Sequence, residues 1–73
     1  MALTQQQQDL IDCLKLLGIG KEDITAIVLP LAKDEAKMDE MLDFLIENLQ
    51  NEKKVTADEA MERMYRITGM VKD

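Results

Sequence analysis

Apolar residues recur every three or four positions in four stretches of this chain, and residues that start or stop helices bound each stretch. In the first, Leu10, Ile11, Cys13, Leu14 and Leu17 share one broad face. Thr4 and Gln7 stand before it at the spacing of a capping box, which predicts a helix over about residues 5–17. Gly18 then suits a left-handed terminator that would bring Ile19 back onto Leu14. Leu16 falls on the other side, beside Asp9 and Asp12.

A second helix is predicted over about residues 21–32, with Gly20 as its N-cap and Glu22 and Asp23 at the positive end of its dipole. Ile19 and Ile24 have the spacing of a hydrophobic staple, so the connection is tight. Ile24, Ile27, Val28 and Leu31 form its stripe, and Pro30 lies opposite, on the side of Asp23 and Ala26. A proline there removes one donor and displaces the Ala26 carbonyl toward the polar side, giving a helix kinked at Pro30. The alternative is a helix ending at Leu29, because residues before proline avoid the helical region.

The third stretch predicts a helix over residues 35–50, with Asp34 as N-cap and Met38, Met41, Leu42, Leu45 and Leu49 as its stripe. Phe44 and Ile46 widen that stripe beyond what one neighbour covers, which marks a central element. The fourth helix is expected over residues 57–68. Thr56 and Glu59 form a second capping box, Val55 and Ala60 a staple, and Gly69 the stop. Ala57, Ala60, Met61, Met64, Tyr65 and Ile67 make its apolar face. Glu59 with Arg63, and Glu62 with Arg66, stand at i,i+4 on the opposite face. The fold class is therefore all-α, a compact four-helix domain spanning residues 1–73.

Composition narrows the picture further. The only aromatic residues are Phe44 and Tyr65, and 73 residues make a small core that a weak homodimer would relieve. The lone Cys13 excludes an internal disulfide and no apolar run approaches the roughly 18 residues of a membrane span. With no secretory signal at the start, the expected location is cytoplasmic and no membrane partner is expected. A net charge of −6 without histidine argues against a nucleic-acid partner. The basic residues found against that background are Lys53 and Lys54 in a turn, and Arg63 and Arg66 among acidic neighbours.

Catalysis by a nucleophile needs a base to activate it, and the chain has no serine and no histidine. Cys13 reads as a small core residue, and no enzyme activity or cofactor is expected. Met38 with Met41 and Met61 with Met64 have a spacing that Cu(I) sites use, but both pairs lie on core stripes, so no metal is expected. Asp39, Glu40, Asp43 and Glu47 share one face of the third helix. That face is either a solvated surface or a docking ridge for a basic protein partner. Leu16 and Leu29 are the large apolar residues most out of phase with their helices, which makes them further candidate partner contacts.

The stretch "LIDCLKLLGIGKEDITAIVLPLAKDEAKMDEMLDFLIENL", residues 10–49, resembles small uncharacterised helical proteins carried by conjugative elements of Gram-positive bacteria. The shared features are a Leu-Gly turn, an Ile-rich second helix and an acidic, Met-rich third helix. The resemblance implies a bacterial cytoplasmic protein without assigned activity, and it carries over no site residues. The expected function is a small protein-interaction or regulatory accessory domain of a mobile element. The alternative is a DNA-binding regulator built on a helix-turn-helix at "LGIG", whose second helix offers only Lys21 and Thr25 to base edges.

Overall fold

A computed structural model describes residues 3–70. Four helices follow one another, α1 (Gln5–Leu16), α2 (Lys21–Leu31), α3 (Glu35–Gln50) and α4 (Ala57–Thr68). Among the described residues there is no strand, and no helix is long and apolar enough to cross a membrane.

The helix ends follow from local chemistry. Thr4 and Thr56 each accept a bond from the backbone N–H three residues on, and the Gln7 and Glu59 side-chain oxygens in turn accept from the cap backbone N–H. Asp34 caps α3 by accepting from the Ala36 N–H at 3.0 Å. Helix α1 ends one residue earlier than its pattern suggests, because Leu17 is already the cap. Gly18 follows with φ +80°. The Ile19 N–H then reaches the Leu14 carbonyl at 3.1 Å, and the Gly18 N–H reaches Lys15 at 3.0 Å.

The same pair of hydrogen bonds closes α3, but with glutamate at the left-handed position. Glu52 has φ 57°. Its N–H donates to the Leu49 carbonyl at 3.1 Å and that of Lys53 to Asn48 at 2.8 Å. Helix α2 continues through Pro30 and stops at Leu31 with Ala32 as cap, so the proline occupies the last turn and does not end the helix at Leu29. There it forfeits a single bond, the one to Ala26, and its ring is half-buried instead of facing solvent.

The four consecutive glutamines are each engaged. Gln5 donates to Asp9 at 2.8 Å and Gln8 to Asp12 at 3.0 Å, along α1. Gln7 completes the N-terminal cap. Gln6 crosses to α3, where its amide donates to the Glu35 carbonyl at 3.1 Å and to the Asp39 carboxylate.

Leu10, Leu14, Ile27, Leu31, Met41, Leu45 and Met64 are fully buried and bring all four helices into one core. Helices α2 and α3 each pack against the other three, while α1 and α4 do not meet. The central place foreseen for α3 is thus shared with α2. Truncating any of these buried leucines costs about 2–5 kcal/mol. Ile46 does not join the core as its position suggested; it is 41% exposed.

Candidate functional site

The acidic residues of α3 divide into two groups. Asp39 is held by the Gln6 amide, so it helps fasten α1 to α3. Glu40, Asp43 and Glu47 line a concavity of about 340 Å³ together with Phe44, Arg63 and Ile67, between α3 and α4.

Phe44 and Arg63 sit at the centre of that surface. The guanidinium carbon of Arg63 lies 4.4 Å from the Phe44 ring centroid, a cation–π contact. The expected Glu59–Arg63 ion pair is replaced by this stacking, because the Glu59 carboxylate accepts from the Thr56 N–H at 3.3 Å and from its hydroxyl at 3.1 Å. Glu62 and Arg66 do pair, at 3.0 Å, in an exposed bridge that contributes little.

A second hollow shares Phe44 and Arg63 and adds Glu59, Glu62 and Arg66. Five carboxylates therefore surround one aromatic ring, against two guanidiniums. One guanidinium is paired with Glu62 and the other is stacked on the ring. The surplus negative field attracts ammonium and guanidinium groups, and the half-buried ring offers apolar contact beside them.

Leu16 and Leu29 are 75% and 63% exposed, as their phase requires. Neither belongs to the acidic surface. Leu16 lies at one end of the bundle, in a hollow with Leu17, Leu49, Lys53 and Lys54 that Leu29 does not share. Glu52 lines the same hollow.

A groove of about 520 Å³ between α1 and the start of α2 is a feature that helical periodicity does not reveal. Its lining includes Leu3, Ile11, Ile19 and Ile24, with Lys15 and Lys21 as its charged residues. Thr25, offered as a base-reading residue in the helix-turn-helix alternative, turns its hydroxyl back onto the Lys21 carbonyl at 3.1 Å. Cys13 is half-buried on α1, and burial pushes its thiol above the usual 9.0, with Asp9 and Asp12 adding to the rise.

No protein-family model, curated protein or solved structure matches this chain.

Proposed function

We propose that this chain is a non-catalytic protein-interaction module that docks a basic partner segment on its α3–α4 face. The observation that carries the reading is the set of Glu40, Asp43 and Glu47 around Phe44, where exposed carboxylates border an aromatic ring in one concavity. Opposite charge steers the encounter, and the aromatic residue and its stacked arginine are residue types enriched at the centres of protein interfaces. The likeness of residues 10–49 to helical proteins of conjugative elements supports an accessory role in such an element.

The test uses an amphipathic peptide of about three helical turns, with leucines on one face and lysines on the other, titrated into the labelled protein by NMR. Saturable shifts at the amides of Glu40, Asp43, Phe44, Glu47 and Ile67, lost in Asp43→Asn/Glu47→Gln, support the reading. Shifts absent from this face, or unchanged in the variant, overturn it.

A further inference from the structure

We infer that the α1–α2 groove is a second docking site, of opposite preference, which takes an acidic amphipathic helix from a partner protein. The inference does not depend on the α3–α4 reading.

Two features of the groove select this occupant. The first is its shape. Gln8, Ile11 and Lys15 line it at i, i+3 and i+7 along α1, a span of about 10 Å. That length takes a short helix whose apolar anchors meet the exposed Leu3 and the half-buried Ile11, over a floor formed by the core residues Ile19 and Ile24.

The second is its charge. In a chain of net charge −6 the groove is lined, among the described residues, by two lysines and by no carboxylate. The Gln8 amide is already committed to Asp12 and the Thr25 hydroxyl to Lys21, so the lysines are the groups left to recognise a charged partner. Both lysines are exposed, and the one ion pair among the described residues is Arg66–Glu62, elsewhere on the surface. A helix carrying carboxylates beside leucine or isoleucine anchors satisfies both features. A basic helix would set its charges against Lys15 and Lys21 and be rejected.

The experiment is an NMR titration with a leucine-faced peptide of about three turns bearing glutamates, compared with its lysine twin. The glutamate peptide is expected to shift the amides of Ile11, Lys15, Ile19, Lys21 and Ile24 saturably. Lys15→Glu/Lys21→Glu, exposed changes that leave the core intact, should weaken it roughly tenfold or more, while Asp43→Asn/Glu47→Gln should leave it unchanged. Equal binding of both twins in the groove, indifference to the lysine reversal, or no shifts there would overturn the inference. So would concentration-dependent shifts of the same amides without peptide, which would assign the groove to a second copy of this chain. Retention on anionic lipid vesicles through these lysines, with no peptide binding, would assign it to a membrane surface and overturn it equally.

Discussion

Arg63 lies over Phe44, with its guanidinium carbon 4.4 Å from the ring centroid, and so ties α4 to α3 from the solvent side of the core. Such a contact contributes about 0.5–1 kcal/mol at a partly exposed site, and the arginine stem also covers apolar ring surface. A double-mutant cycle of Arg63→Ala and Phe44→Leu in urea denaturation should give a coupling of about that size. Additive effects would show that the stacking contributes nothing to stability.

Glu52 occupies a left-handed position that glycine fills after α1 and α4. The conformation costs an L-residue about 1–2 kcal/mol, partly offset because glycine loses more freedom on folding. Glu52→Gly should therefore raise stability by about 0.5–1 kcal/mol. Gly18→Ala should lower it by about 1 kcal/mol, although no atom beyond its chain neighbours lies within 4 Å of the added methyl, because φ +80° alone is unfavourable. Thermal melts of the two variants moving in the same direction would contradict the assignment.

Pro30→Ala should be neutral or modestly stabilising. The proline sits in the last turn of α2, where alanine restores a donor for the Ala26 carbonyl. The gain should stay well below the roughly 3 kcal/mol of a mid-helix proline. A large fall in melting temperature would mean that the half-buried ring packs in a way alanine cannot replace.

The Cys13 thiol holds its proton above the usual 9.0 because burial and the neighbouring Asp9 and Asp12 disfavour the thiolate. Alkylation by iodoacetamide should be slower than for a free thiol at neutral pH and should rise only under more alkaline conditions. The folded state binds this proton more tightly than the unfolded chain. Stability therefore carries no pH dependence from Cys13 well below pH 9.0 and falls as pH rises past it. Rapid alkylation at neutral pH would contradict this.

Much of the fold was legible in the sequence because helix ends are local events. The Thr4–Gln7 and Thr56–Glu59 boxes, the Asp34 cap and the stops at Gly18 and Gly69 each need only a few neighbouring residues, and all are present. The exposure of Leu16 and Leu29 followed from phase alone. Features that depend on two helices meeting were not legible. Periodicity allowed Glu59 to reach Arg63, but the capping box holds Glu59 and the α3 neighbour Phe44 holds Arg63. Ile46 was counted into the apolar arc, yet no helix covers it. The α1–α2 groove depends on how the two helices pack, and no spacing within either helix encodes that.

The most direct measurement is the association rate of the lysine-bearing peptide against ionic strength, for wild type and for Asp43→Asn/Glu47→Gln. Removing these exposed carboxylates should leave stability unchanged or slightly higher, since Asp43 and Glu47 repel each other at i,i+4. Association should slow, and the difference from wild type should shrink as added salt brings the Debye length below about 8 Å. Equal on-rates and equal salt slopes for the two proteins would contradict the docking role and leave this face of α3 a solvated surface.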